Sequence, residues 1–228
     1  MIPLLHDFSD ERVLVFGGGS VGARKARRFD REATVVVVSP SFGDTDFGDA
    51  RLVRAAVEPP EVDDWLDRVA PALVVAATDD ESVNGAIESA ARARSILVNR
   101  ADRAGPREAG SVVVPATVHD DPVVVAIATE GTAPALSRYL REQFEEPLAG
   151  AGEMARLLAA VRTDLERQGV DPERRREILR AVVRSVSVWT ALRSGGVNRQ
   201  IVQADVVSRA LDAKREPGEA IELGGERR

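Results

Sequence analysis

The sequence predicts an α/β fold with three successive parts: an N-terminal parallel sheet, a hairpin followed by a helix, and a small all-helical C-terminal domain. Up to residue 100, short apolar runs of strand-forming residues alternate with helical stretches, the β-α-β-α order of a doubly wound sheet. The first of these runs meets a glycine cluster, and from Glu153 onward no strand-like run occurs.

That first run is Val13-Leu14-Val15-Phe16, followed by Gly17-Gly18-Gly19-Ser20-Val21-Gly22 and a helical stretch from Ala23 to Phe29. Gly17, Gly19 and Gly22 have the G-x-G-x-x-G spacing. The first glycine permits a tight turn, the second lets backbone approach a pyrophosphate, and the third lets helix and strand pack closely. The helix start offers free N–H groups to the anion. Placed between a strand and a helix, this is the dinucleotide loop of a Rossmann-type sheet, which makes Gly17, Gly18, Gly19, Ser20, Val21 and Gly22 cofactor candidates.

The next strand, Ala33 to Val38, is a continuous β-branched run suited to a sheet covered on both faces, and it ends in Ser39-Pro40. An Asp or Glu about 20 residues past the glycines ordinarily binds the ribose 2′-OH. Ser39 stands there instead, and no arginine follows directly to take a 2′-phosphate. NAD is expected over NADP, with Ser39 and Pro40 beside the ribose.

A weaker strand over Leu52 to Ala56 leads to a helix over Glu61 to Val69. Leu73 to Ala77 is a strong strand that ends in Thr78-Asp79-Asp80, at the edge where open α/β sheets bind ligands, so Thr78 joins the cofactor candidates. Ser82 to Ala93 reads as a helix. Ser95 to Val98 reads as the following strand, ending in Asn99-Arg100-Ala101-Asp102.

The pattern then changes. Ser111 to Pro115 and Val123 to Ala128 are expected to pair as a hairpin through the turn chemistry of His119-Asp120-Asp121-Pro122. Thr132 or Ala133 can cap a helix with Pro134 in its first turn and Leu136, Leu140 and Phe144 along one face. Met154, Leu157, Leu158, Val161 and Leu165 mark one amphipathic helix. Ile178, Val182, Val186, Trp189 and Leu192 mark a single longer one started by Asp171-Pro172, and Asn198 to Ala213 a third after the Gly195-Gly196 break. The expected boundaries are 1–110, 111–148, 149–215 and a disordered polar tail over 216–228.

A hydrophobic content of 44% supports a globular chain, and a formal net charge of −6 argues against a general nucleic-acid binder. With no cysteine there is no disulfide, thiolate ligand or cysteine nucleophile, which suits a cytoplasmic protein. No apolar run approaches the roughly 20 residues of a membrane span, and Met1-Ile2-Pro3 does not open a signal peptide. Lysine occurs only at Lys25 and Lys214 while arginine is abundant, a bias that fits a GC-rich genome or a salt-rich cytoplasm. His6 and His119 keep no metal-ligand spacing, and no resident metal site is expected.

The ordered set Gly17-Gly18-Gly19-Ser20-Val21-Gly22-Ala23-Arg24-Lys25, Ala76-Ala77-Thr78-Asp79-Asp80, Val98-Asn99-Arg100-Ala101-Asp102 and Gly131-Thr132-Ala133-Pro134, with Pro3-Leu4-Leu5 before it, resembles the precorrin-2 dehydrogenase family, the N-terminal module of siroheme synthases. The resemblance covers about residues 1 to 145 well and the helical remainder in outline. It implies NAD-dependent oxidation of precorrin-2 to sirohydrochlorin in siroheme biosynthesis. It also implies a homodimer joined through the central hairpin-plus-helix segment, and in some relatives insertion of ferrous iron.

Asp102 matches the family's proposed catalytic aspartate. Removing a hydride and a proton from a tetrapyrrole requires NAD and a base, and a carboxylate of ordinary pKa is a weak base unless desolvation raises it. The substrate is a polycarboxylate, so an acidic protein must gather positive charge locally. Arg100, Arg103 and Arg107 flank Asp102, and Arg138 and Arg141 follow Pro134. Asn99, Arg100, Arg103, Thr132 and Arg138 are therefore the substrate-binding candidates. Thr129-Glu130 departs from the family pattern and places a carboxylate beside that segment. Two other functions fit the glycine loop alone: an NAD-sensing module without catalysis, and a dehydrogenase of another small molecule.

Overall fold

The structure is a computed structural model that describes residues 3–103, 111–193 and 199–212. The Gly195-Gly196 break, Arg107 and the tail expected over 216–228 lie outside the described residues. The chain divides into two compact units. The first is built from residues up to Pro115 together with Thr129–Pro134, and the second from Ala116–Ala128 and the chain from Ala135 on.

In the first unit, β1 (Arg12–Phe16), β2 (Thr34–Ser39), β3 (Arg51–Arg54), β4 (Leu73–Ala76) and β5 (Leu97–Arg100) form one sheet in the order β3-β2-β1-β4-β5. All pairs are parallel, with Phe16 opposite Val38 on one side and Ala76 on the other. α1 (Ser20–Phe29), α2 (Val62–Val69) and α3 (Glu81–Ala93) cover the faces. Val13, Val15, Leu73 and Val75 pack with Ala23, Ala26 and Phe29 of α1, while Leu14, Phe16, Val74 and Ala76 pack with Leu66 of α2 and Ile87 of α3. Burial on both faces is why these strands read as unbroken apolar runs. The order reverses between β1 and β4, and the loops after these two strands open at that switch point, where such sheets bind ligands.

Two expected boundaries move. β5 begins at Leu97 rather than Ser95, because Ser95 has φ +59° and its N–H bonds Arg92, while Ile96 N–H bonds Ala91. Ser95 and Ile96 are thus the turn out of α3. The hairpin also differs: its strands are β6 (Ala116–Asp120) and β7 (Val123–Ile127), with Val118 opposite Val125. Ser111 and Val112 instead run beside β5, where Val112 N–H bonds Val98 O, and Val112 and Val114 pack on the first unit's core. The apolar run at 111–114 carries no mark of which partner it takes. His119 and Asp120, expected in the turn, belong to β6, and only Asp121-Pro122 connects the strands.

The second unit continues with α4 (Pro134–Leu148), α5 (Ala151–Arg167), α6 (Pro172–Arg184), α7 (Val186–Arg193) and α8 (Arg199–Asp212). Its core comprises Met154, Leu157, Val161 and Leu165 of α5 with Ile178, Val182, Val188, Leu192, Val206 and Val207. Asp171 caps α6 through Glu173 and Arg174 N–H, as its Asp-Pro start requires. The single long helix expected from Ile178 to Leu192 is two. Ser185 is extended (ψ 114°), and its hydroxyl accepts from Val188 N–H, a local bond that competes with the helical ladder. The break rotates Val186 out of the core to 78% exposure.

Candidate active site

The glycine loop shows the division of labour that its spacing implies. Gly17 has φ +120°, and a Cβ there would lie 2.2 Å from Ala77 O. A Cβ at Gly22 would lie 2.0 Å from Gly17 O, so α1 can seat against the strand only with hydrogen at that position. A Cβ on Gly18 would meet Ser41 O at 2.2 Å. At Gly19 it would meet nothing within 4 Å, because this position faces open cleft. Gly19 is also the N-cap of α1, whose first turn carries no acidic residue, so its free N–H groups and positive dipole end face the place where a pyrophosphate belongs.

A cleft of about 550 Å³ runs from Ser39, Pro40 and Ser41 past Gly18, Gly19 and Ser20 to Thr78 and Asp79. Ser39 is buried, and its hydroxyl donates to Ser41 O at 2.7 Å, pinning the chain after β2 against the glycine loop. At the other end, Val21, Ala77, Thr78 and Asp79 are shared with a second pocket of about 380 Å³, also lined by Glu81, Asn84, Ala101 and Asp102. The open Gly19 cradle, the helix N-terminus and the cleft on both sides of the switch point together fit an extended dinucleotide. The cofactor candidates Gly17, Gly18, Gly19, Ser20, Val21, Ser39, Pro40 and Thr78 all line it, and Gly22 is the close contact beneath.

Thr78 is held by a residue with no place among the candidates read from sequence. Asn84, in the first turns of α3 and 1% exposed, accepts from Thr78 N–H at 3.2 Å and from Thr78 Oγ1 at 2.8 Å. Its own amide donates to Thr78 O at 2.9 Å. Asp80 caps the same helix, accepting from Ser82 N–H, Val83 N–H and the Ser82 hydroxyl. Those bonds, the hydroxyl first, hold its carboxyl below the usual range.

The turn after β5 carries an ion network. Arg100 faces α3, and its side chain is 3% exposed. It donates from Nε to Asp102 Oδ1 at 2.9 Å and from Nη2 to Asp102 Oδ2 at 2.6 Å, a bidentate pair. Nη1 reaches Glu88 and Nη2 reaches Glu81, each at 2.8 Å. Glu88 also accepts from Arg92 at 2.8 Å, and Arg103 pairs with Glu81. Burial pushes the Asp102 carboxyl up, but the Arg100 guanidinium, helped by the Asp102 N–H and Glu81, holds it on balance below its ordinary value. Arg100 is pushed up in turn, first by its bonds to Asp102 and then by those to Glu81 and Glu88, against the effect of burial.

Of the substrate candidates, Asp102's neighbour Arg103 is half-exposed beside this pocket. Asn99 is 2% exposed and sits inside the sheet, its amide donating to Val112 O at 2.6 Å while Oδ1 has no hydrogen-bond partner among the described residues. Asn99 and Arg100 are thus enclosed by protein and not presented to a ligand. Thr132 belongs to a tight turn, with its N–H and hydroxyl donating to Thr129 O and with Glu130 at φ +53° and Gly131 at φ +81°. Arg138 is exposed on α4 in the second unit.

A family described as putative NAD(P)-binding matches residues 4–116. The precorrin-2 dehydrogenase of Methanosarcina barkeri is 33% identical over 195 residues, spanning 82% of this chain and 85% of that protein. The chain belongs to the precorrin-2 dehydrogenase family. Siroheme synthases of Chromobacterium violaceum and Pseudomonas entomophila are 34% and 36% identical over 189 and 179 residues, and the match spans only 38% and 37% of their lengths. The solved structure of a precorrin-2 dehydrogenase, SirC, shares the fold with a TM-score of 0.68 at 22% identity, over 93% of this chain and 100% of that one.

For this precorrin-2 dehydrogenase family member, the residues that sequence reasoning missed are Asn84, Glu81 and Glu88. A signal was present. Glu81, Asn84, Glu88 and Arg92 recur at helical spacing along one stripe of an otherwise alanine-rich helix, which marks a polar face with a specific partner.

Proposed function

We propose that the chain catalyses NAD-dependent oxidation of precorrin-2 to sirohydrochlorin. The observation that carries this reading is the continuity of the dinucleotide cleft with the pocket that Asp102 lines, through the shared Val21, Ala77, Thr78 and Asp79. NAD supplies the hydride acceptor when bound. The protein's own part is to hold the pyrophosphate on Gly18, Gly19 and the N–H groups of Ser20 and Val21, and to seat the ribose against the turn that Ser39 pins. Thr78, locked by Asn84, borders the passage to the second pocket. Oxidation of the substrate also releases a proton. Asp102 is the proposed acceptor of that proton; because Arg100 holds its carboxyl below the ordinary value, against the desolvation-raised base expected from sequence, it acts as an oriented but weak base. Arg103, half-exposed and paired with the pocket-lining Glu81, is the proposed contact for a substrate carboxylate.

A homodimer belongs to the same reading. α4 buries no residue in its own chain, and it exposes Leu136, Tyr139 and Phe144 at 46%, 56% and 44%. A helix with such a face requires a partner surface, and a second copy of the chain supplies one. The reading also places the protein in the cytoplasm. No described helix is long and apolar enough to cross a membrane.

The test is anaerobic: purified protein, precorrin-2 and NAD, followed by absorbance. Equal amounts of NADH and sirohydrochlorin are expected. Protein that binds NAD but forms neither product would refute the reading. Ferrous iron added to the product in the same assay tests the insertion step that the resemblance implies.

A further inference from the structure

We propose that Arg100 is a positioning residue for Asp102: it orients the carboxylate as a fixed anion at the edge of the pocket, and Glu88 and Glu81 of α3 hold Arg100 in turn. This rests on the reading of Asp102 as the group that acts on substrate.

Geometry carries the inference. The bonds at 2.9 and 2.6 Å use both carboxylate oxygens and fix the carboxylate plane, as only a planar guanidinium fork can. Arg100 cannot swing toward a ligand, since its side chain is 3% exposed and Glu88 and Glu81 also bind it, each at 2.8 Å. Glu88, with a side chain 11% exposed, is itself braced by Arg92. The Asp102 side chain remains 17% exposed and lines the pocket, so the anion is aimed and still accessible. Among the described residues, the charged groups around it are Arg100 and Arg103 from its own segment, Glu81, Glu88 and Arg92 from α3, and Asp79 from the loop after β4. Among them only Arg100 holds it bidentately.

Three variants test the clamp against wild type. In Arg100→Met, the acid limb of kcat/KM is expected to move up by about 1 pH unit or more, because burial then acts without the guanidinium. Its alkaline plateau is expected to fall at least tenfold, with NAD affinity unchanged. Arg100→Lys keeps the charge without the fork, so its limb stays near wild type while the plateau falls. Because Arg100→Met alone removes the Arg100 partner of the buried Glu88 and leaves its charge only partly compensated by Arg92, the double variant Glu88→Gln/Arg100→Met is measured too and is expected to show the same shift. Carbon-13 NMR of the Asp102 carboxyl, without NAD, should follow that shift independently of turnover.

Limbs, plateaus and NMR titrations that match wild type would overturn the clamp. Asp102→Asn separates the two ideas. Full turnover in that variant defeats the reading of Asp102 itself. An inactive Asp102→Asn beside wild-type behaviour in the Arg100 variants defeats the clamp alone.

Discussion

The loop after β1 and the turn after β5 border adjoining pockets that share Val21, Ala77, Thr78 and Asp79, yet they are built on opposite principles. The glycine loop is set by what its residues lack: Gly17, Gly18 and Gly22 each sit where a Cβ would overlap backbone at 2.0 to 2.2 Å. The β5 turn is set by what its residues carry, with Arg100 reaching across 12 residues to Glu88 and 19 to Glu81. A steric constraint is local and can be read from spacing. A charge network depends on which helix the fold brings alongside, so it shows only once the chain is folded.

The largest effect expected from this contrast is at Gly17. Gly17→Ala forces a side chain into the left-handed region and onto Ala77 O, so it should cost about 3 kcal/mol or more in thermal unfolding and abolish NAD binding. Glu88→Ala comes next. It strands part of a buried network and is expected to cost about 3 kcal/mol, whereas Glu81→Ala, at a side chain 61% exposed, should cost under about 1 kcal/mol. Equal costs at the two positions would break the claim that burial of the Arg100–Glu88 pair matters.

Gly19→Ala sharpens the comparison from the other side. Because that Cβ meets nothing, stability should fall by no more than about 1 kcal/mol, the scale of a weakened helix cap, while NAD affinity drops at least tenfold in calorimetric titration. Asn84→Ala should cost about 1–2 kcal/mol and raise the KM for NAD, since it frees the Thr78 backbone.

The smallest effect is in acid. Asp102 has a folded pKa below its ordinary 3.8, so its contribution to stability is complete above that value and is lost as pH falls through the folded one. The difference in unfolding free energy between wild type and Asp102→Asn should therefore be constant from pH 7 to about 5 and shrink below about 4.

The parallel sheet, its glycine loop and the Asp171-Pro172 helix start were legible because each rests on neighbours in sequence. The partner of the 111–114 run was not, since an apolar strand pairs equally well with β7 or β5 until the rest of the fold chooses. Nor was the break at Ser185, where a single hydroxyl outweighs a good apolar stripe. Arg100 shows the same limit as the strand: its proximity to Asp102 was visible, and its enclosure by α3 was not. That enclosure changes its assignment from a surface charge for substrate to an internal support.

The most direct test measures NAD binding and precorrin-2 turnover on the same preparation of Asp102→Ala. NAD affinity within about twofold of wild type is expected, with turnover at least 100-fold lower, the scale of a lost acid–base group. Undiminished turnover in that variant would contradict the account.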